Sequence, residues 1–406
     1  MKLAYLTDVE GRWEKLSSFC EHNPLVSLDD GELRLAEGAL FVFGGDAIDR
    51  GPHARRVVTC LTRAKLRYGE RVVLLAGNRD LNKLRLVREL AGKPPEQTPP
   101  EVRDASRPAL LKWILARTMG APEAFEHRRV ELGSDARDDD VVQSFLDDLA
   151  PAGALTEYLR LCTLCFRNGS TLFVHGGLGE GSLGAIPGVA QRVSDAGEWI
   201  ARLNDWYAAQ LAAFVERVVE PGGAPAWQPL IAYQQPSPGL RFNPGSVVYG
   251  RLAGDDNDPF LPPPAVIERL LGAGIRRLVV GHTPSGDTPS ILRDPSRGFE
   301  QIMADNSYSR VDTGSRVRLD DDAVAIEGRV VLDDGRTRDV SFVLPAGDVT
   351  SPIGLRLGEG GPLVKAPLGA GEHLTFKYGP GYTLEQRSIA SEALSRYAWL
   401  APRAIE

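Results

Sequence analysis

LFVFGGDAIDRG (residues 40–51) is an apolar run of strand character followed by a segment with three glycines, two aspartates and an arginine. Apolar β-type residues followed by Gly-Gly-Asp predict a buried strand that stops in a turn, with Asp46 just past its carboxyl end. Four more stretches read the same way: KLAYLTDVEG (2–11), RVVLLAGNRD (71–80), TLFVHGG (171–177) and RRLVVGHTP (276–284). They put Asp8, Glu10, Asn78, His175 and His282 at equivalent places. In an open α/β sheet, ligands bind outside the carboxyl ends of the strands, so six oxygen and imidazole donors at such ends predict one shared site. Singly, each ending is ordinary, since Gly-Asp and Gly-Asn are turn pairs and a lone histidine is usually a satisfied polar residue. The coincidence of five endings carries the prediction.

Composition sets the outer limits. The 406 residues are 43% hydrophobic and 25% charged, an ordinary globular chain with room for two domains or one decorated domain. A net charge of −7 provides no basic field for nucleic acid or an anionic membrane, so neither is expected as a partner and any phosphate recognition must be local. No stretch approaches the roughly 18 to 20 apolar residues of a membrane helix. The first ten residues lack a basic-then-apolar signal pattern, which predicts a retained N-terminus and a cytoplasmic protein. Cys20, Cys60, Cys162 and Cys165 are too few for a disulfide framework. The Cys162/Cys165 pair has redox or zinc spacing, but with no second pair it reads as buried apolar cysteines ahead of the 171–177 strand.

Along the chain, residues 1–90 alternate strand and helix: a strand to Leu6, a helix from Trp13 to Glu21, a strand at Leu40 to Phe43, a helix from Ala54 to Tyr68 and a strand at Val72 to Leu75. That pattern implies a parallel core. From Leu81 to about Arg167 the periodicity is helical, broken by a proline-rich loop at Lys93 to Pro100, and the acidic run Asp138 to Asp140 reads as a solvated helix start. A glycine-rich loop then leads into the amphipathic segment EWIARLNDWYAAQLAAFVERVVE, whose Trp199, Trp206 and Tyr207 read as packing residues. The sheet resumes at Arg277 to Val280. Residues 1–316 thus form one domain with helical insertions at about 81–167 and 179–273. Residues 317–406 read as a small β-rich module, with a hairpin around Asp333-Asp334-Gly335 and a final helix from Leu384 to Leu400.

The donor set points to a chemistry. A carboxylate at Asp46 could bridge two metal ions, with Asp8 and Glu10 on one side and Asn78, His175 and His282 on the other. Two ions roughly 3.5–4 Å apart lower the pKa of a bridging water and clamp both oxygens of an in-line displacement at phosphorus. Charge gathers on the phosphoryl oxygens as hydroxide attacks, and fixed cations must face it. Arg50, Arg79 and Arg251 are candidates, because a planar guanidinium matches phosphate oxygens two at a time.

In order, D-x-E-G, GDxxDRG, GNRD, VHGG and GHTP resemble the motif series of the calcineurin-like metallophosphoesterase superfamily, especially its branch of phosphoprotein phosphatases and diadenosine tetraphosphate hydrolases. The match runs from Asp8 to about Gly314, outside the helical insertions and the C-terminal module. The resemblance implies an α/β (α+β) fold, a β-sandwich flanked by helices, with a binuclear centre: Asp8 and Asp46 on the first metal, Asp46, Asn78, His175 and His282 on the second, and Arg50 on phosphate. Arg251 matches the family's second phosphate-binding arginine by approximate position only. The implied activity is hydrolysis of a phosphomonoester or phosphoanhydride of a small molecule or nucleotide.

Two departures matter. Where the family has D-x-H, this chain has Asp8-Val9-Glu10, which makes the first site all-oxygen and favours Mn²⁺ or Mg²⁺ over zinc; manganese is the expected metal, with iron, Mg²⁺ and Zn²⁺ as alternatives. The family's GNH[D/E] is here Gly77-Asn78-Arg79-Asp80, so the histidine that would protonate the leaving group is an arginine, which cannot act as an acid at neutral pH. Arg79 and Asp80 are nonetheless expected in the catalytic apparatus, with Arg79 binding the phosphoryl group or leaving oxygen. Lys83, one turn beyond Arg79, either reaches a second phosphate or lies on a solvated basic face. His53 is a helix start or a substitute acid, and Asp305 and Asp312 shape the site's rim or cap turns. The alternatives to a hydrolase are a divergent metalloenzyme on the same scaffold and a metal- or nucleotide-binding protein with little turnover.

Overall fold

In the computed structural model, residues 2–399 are described except 134, 255, 256, 380 and 382. The chain opens with β1 (Leu3–Leu6), helix α1 (Trp13–Cys20), a hairpin of β2 (Val26–Asp29) and β3 (Glu32–Leu35), then β4 (Leu40–Phe43), helix α2 (Ala54–Tyr68) and β5 (Val72–Leu75). A short helix α3 (Asn78–Asn82) begins a helical stretch that ends at β6 (Cys162–Thr163), β7 (Cys165–Asn168) and β8 (Thr171–Val174). A second stretch, with helices Ala196–Val215 and Pro264–Gly272, leads to β9 (Arg277–Pro284), β10 (Ser290–Asp294) and β11 (Phe299–Asp305). Then come β12 (Arg316–Leu319), β13 (Ala323–Val331), β14 (Thr337–Pro345), β15 (Leu363–Gly369), β16 (Glu372–Gly379) and β17 (Thr383–Ala390).

Two sheets form the sandwich. One has the order β14-β13-β12-β1-β4-β5-β6 and the other β10-β11-β9-β8-β7. β1, β4, β5 and β6 run parallel, as do β8, β9 and β11. Side chains alternate faces along a strand, and here both faces are covered. Leu3, Tyr5, Leu40, Val42, Val73 and Leu75 meet Phe173, Val279, Ile291 and Ile302 between the sheets. Their neighbours Ala4, Leu6, Phe41, Phe43, Val72 and Leu74 pack with Leu16 and Phe19 of α1 and Val57 and Leu61 of α2. Burial on both faces is why these strands read as continuous apolar runs rather than alternating ones. Each fully buried side chain of this kind contributes roughly 1.5–3 kcal/mol, and the Tyr5 and Phe173 rings, 5.7 Å apart, join the sheets directly.

The elements expected in residues 1–90 are all present, as are the helical stretch after Leu81 and the amphipathic helix, where Trp199 and Tyr207 are buried. Asp138 opens a helix with Asp139 and Asp140 in its first turn, where carboxylates complement the helix dipole. The four thiols are free; Cys20, Cys60 and Cys165 are buried and Cys162 is half-buried. Three expectations need correction. β9 does not return to the first sheet; it pairs with β8 in the second. The boundary at 316/317 falls inside β12, which pairs antiparallel with β1, so β12, β13 and β14 extend the large sheet. Only β15, β16 and β17 form a separate three-stranded sheet.

The predicted helix from Leu384 begins instead as β17, paired along its length with β16, and then forms a single 3-10 stretch at Ser391–Arg396. Buried Leu384 and Gln386 alternate with exposed Thr383 and Arg387 and half-buried Glu385 on β17, a period of two that the apolar spacing further on obscured. Leu400 lies outside the described residues. Among the described residues no helix is long and apolar enough to cross a membrane.

Candidate metal centre

The carboxyl ends of β1, β4 and β5 in one sheet and β8 in the other open onto the same place. Asp8, Asp46 and Asn78 follow the first three, His175 follows β8, and His282 lies within β9 where its pairing with β11 is irregular. The turns are tightly interlocked. A Cβ on Gly77 would strike Asp46, and one on Gly281 would strike Asp8, which is why glycine precedes Asn78 and His282. Five site residues with side chains adopt left-handed backbone: Asp8 (φ 52°), Glu10 (48°), Asp46 (56°), Asp49 (126°) and His282 (59°). Such strain persists where surrounding structure over-determines the backbone, commonly at functional sites.

Asp46 is the hub. Its Oδ1 accepts the Arg79 backbone N–H at 2.9 Å and lies 3.3 Å from His175 Nε2. Burial opposes ionisation there, but His175 and Arg79 beside it hold the carboxyl down at about 2. His175 is fully buried and its Nδ1 donates to Gly44 O at 2.8 Å. That bond fixes the tautomer and leaves Nε2 aimed at Asn78 Oδ1, 3.1 Å away. His282 Nδ1 approaches the same oxygen at 2.8 Å. Burial and the neighbouring His175 push His282 down to about 3, so its ring is neutral, the form that ligates metals. Donor atoms of Asp46, His175 and His282 lie within 4.8 Å of one another. Two imidazoles and two side-chain oxygens, converging and held from behind, fit one divalent ion.

The other expected ligands are arranged differently. Asp8 accepts the His282 backbone N–H with both oxygens at 3.2 Å and the Thr7 hydroxyl at 2.5 Å. Burial and the nearby Asp305 raise its pKa well above the usual carboxylate range. Glu10 is paired with cations: its Oε1 lies 2.6 Å from Arg79 Nε and its Oε2 3.4 Å from Arg50 Nη1. Burial lifts Glu10 to about 7 against the pull of the two arginines. The Arg79 guanidinium also lies 3.6 Å from Asp46 Oδ2 and 3.4 Å from Asp49 Oδ2. An ion between Asp8, Glu10 and Asp46 does not fit beside this guanidinium.

Asp80 is buried and accepts three backbone N–H groups, from Asp46 (3.0 Å), Ala47 (2.9 Å) and Gly77 (3.1 Å). It thus pins the Asp46 turn to the Asn78 turn and does not line the cavity. Lys83 is buried as well: Nζ binds Asp49 Oδ1 at 2.7 Å and Asn82 Oδ1 at 2.6 Å, so it neither reaches the cavity nor lies on a solvated face. Arg50 stacks over the Tyr308 ring, 4.1 Å from its centre. Arg251 lines the cavity, one Nη 2.5 Å from Asn257 Oδ1. His53 sits at the start of α2 beside Glu14, and Asp312 is exposed; neither lines the cavity. Asp305 does, and is buried.

The cavity measures about 320 Å³. Its floor is Asp8, Glu10, Asp46, Asn78, Arg79 and His282, and its roof comes from the two insertions, with Arg117 and Met119 from the first and Gln234, Arg241, Tyr249 and Arg251 from the second. Asp49, Tyr308 and Arg241 were missed by sequence reasoning. Asp49 sits within the GDxxDRG match and was findable there; Arg241 lies in a proline-glycine loop with no motif. Next to this cavity is a larger one of about 490 Å³, walled by Leu178, Phe242, Leu252 and Phe260 and sharing Arg241 and Arg251 with it.

No family model and no curated protein matches the chain. Solved structures do. The cold-active protein-tyrosine phosphatase of the psychrophile Shewanella sp. is 16% identical with a TM-score of 0.44, over 83% of this chain and 80% of that one. A serine/threonine phosphatase from Saccharomyces cerevisiae with similarity to human phosphatase PP5 is 12% identical (TM-score 0.36, 84% and 79% covered). A metallophosphoesterase from Sphaerobacter thermophilus is 12% identical (TM-score 0.30, 85% and 88% covered). The chain's own five motifs meet at the mouth of a two-sheet sandwich, the arrangement that resemblance to the calcineurin-like metallophosphoesterase superfamily implies.

Proposed function

We propose that the protein is a metal-dependent phosphoesterase that hydrolyses a phosphomonoester or phosphoanhydride of a small molecule or nucleotide. The observation that carries this reading is the convergence of Asp46, Asn78, His282 and, buried behind them, His175 at a cavity that Arg79 and Arg251 also line. Asp46, Asn78, His175 and His282 would hold a divalent ion, which would supply Lewis acidity and lower the pKa of a bound water. The two arginines face the incoming phosphoryl oxygens with fixed positive charge, strongest where water is excluded. The donor set suits first-row divalent ions, manganese among them; Glu10 no longer argues for manganese over zinc, because its carboxylate is held by Arg79 and Arg50.

A small substrate is supported by the roof, since residues of both insertions close over the floor. The adjoining apolar cavity, which shares Arg241 and Arg251, suits an aryl leaving group or the base of a nucleoside polyphosphate. That agrees with the absence of an acid at Arg79: an aryl oxide, and the phosphate of an anhydride, depart without a proton, whereas the ribose oxygen of a nucleoside monophosphate needs one. The test is release of inorganic phosphate from aryl phosphates, alkyl phosphates, nucleotides and dinucleoside polyphosphates by protein reconstituted with Mn²⁺, Mg²⁺, Fe²⁺ or Zn²⁺. Metal-dependent release, best with the aryl and anhydride substrates, is expected. Silence across the panel by metal-loaded protein would favour a binding-only role or another reaction on this scaffold.

A further inference from the structure

Glu10 and Arg79, the two positions at which this chain departs from the motif series, touch each other. Their ion pair, Glu10 Oε1 to Arg79 Nε, is 2.6 Å long and nearly sealed from solvent, the two side chains being 2% and 13% exposed. The guanidinium rests among three carboxylates, Glu10, Asp46 and Asp49. It faces Asp46 Oδ2, whereas Oδ1 of the same carboxylate faces His175. Asp46 therefore turns one oxygen to the ligand cluster and the other to a cationic side chain.

We infer that the Arg79 guanidinium stands in place of a second metal ion, and that the centre binds a single divalent ion at Asp46, Asn78, His175 and His282. The inference rests on the reading of this cluster as a metal site. A cation between Glu10 and Asp46 would have to share its carboxylate oxygens with a guanidinium that cannot lose its proton and would crowd a second positive charge against it. The substitutions are reciprocal: removing the arginine would leave Glu10 and Asp49 buried with a cation lost, a costly state, and an acidic residue at position 10 gives the arginine its closest partner. Asp8 is outside the donor cluster, with both oxygens on the His282 backbone N–H. Functionally, Arg79 becomes a fixed monovalent charge facing the phosphoryl group, without Lewis acidity and without a proton to give.

Metal content per chain tests this without substrate. The full-length protein is loaded with Mn²⁺ and dialysed, its metal is measured by elemental analysis, and the Mn²⁺ spectrum is recorded by electron paramagnetic resonance. Wild type should hold one ion per chain with the spectrum of an isolated ion. Arg79→His, and the double variant Glu10→His with Arg79→His, which leaves no unpaired carboxylate at position 10, should take up a second ion, and the spectrum should become that of an exchange-coupled pair. Two ions or none in wild type would overturn the inference, as would one ion in wild type and in both variants. Failure of the phosphatase reading would show as missing phosphate release, whatever the metal count.

Discussion

Asp46 joins both sheets at a single carboxylate, one oxygen toward His175 at the end of β8 and the other toward Arg79 after β5. Replacing it with asparagine keeps the shape and removes the charge, so Asp46→Asn should lose bound metal and phosphate release together, as read by elemental analysis and a phosphate assay. Retained metal with full turnover would contradict the site. Arg79 carries the second prediction at this scale. General acids typically contribute about 10²- to 10⁴-fold, so Arg79→His should raise hydrolysis of alkyl phosphates relative to aryl phosphates by about 10²-fold. Unchanged selectivity would mean that an acid is not what the wild type lacks. The candidate ligands were legible one by one, because each lies at or just past the end of an apolar run, and Asp46, Asn78 and His282 directly follow a glycine. The Glu10–Arg79 pairing was not, since a single sequence shows two substitutions without showing that they meet. Lys83 was misjudged for a related reason: spacing gives the face of a helix, but the chain turns 3-10 at Lys83–Arg85 and carries Lys83 inward to Asp49.

Among the elements, the C-terminal sheet is fastened to the sandwich by polar side chains buried between β9 and β10. Asp287 is fully buried and accepts from the backbone N–H of Arg310 (2.6 Å), that of Val331 on β13 (2.8 Å) and Gln386 Nε2 on β17 (2.6 Å). Each donor left unsatisfied costs about 1–3 kcal/mol, so Asp287→Ala should destabilise the protein by roughly 3 kcal/mol or more in chemical denaturation. A loss under about 1 kcal/mol would contradict this fastening. Lys365 on β15 is also fully buried, donating to the carbonyls of Ser285 and Thr288. Burial pushes its pKa down to about 7, with Asp287 opposing, against about 10.4 in an unfolded chain. Between those values the unfolded state binds more protons, so this group's contribution is full above about 10 and is lost as pH falls toward 7. The gap in melting temperature between wild type and Lys365→Met should therefore shift in favour of wild type as pH rises from 7 to 10. A constant gap would rule out that titration. None of this was legible: an aspartate in a Gly-Asp turn and a lone lysine in a short strand give no local sign of burial, which comes only from tertiary contacts.

For the whole molecule, the parallel core was legible because strands covered on both faces read as long apolar runs and because residues 1–90 alternate strand and helix, whereas the two-sheet sandwich was only what the family resemblance implied. Pairing between distant segments was less so. β12 closes onto β1 across the length of the domain, which no local pattern announces, and this is why the C-terminal boundary was drawn too early. The helical insertions were visible as periodicity, but their place over the cavity came only from the fold. The measurement that tests the account most directly is inorganic phosphate release from an aryl phosphate by metal-free protein, by the same protein after Mn²⁺ is restored, and by Asp46→Asn treated identically. The account predicts turnover in the second sample alone. Turnover without metal, or equal turnover by the variant, would contradict it.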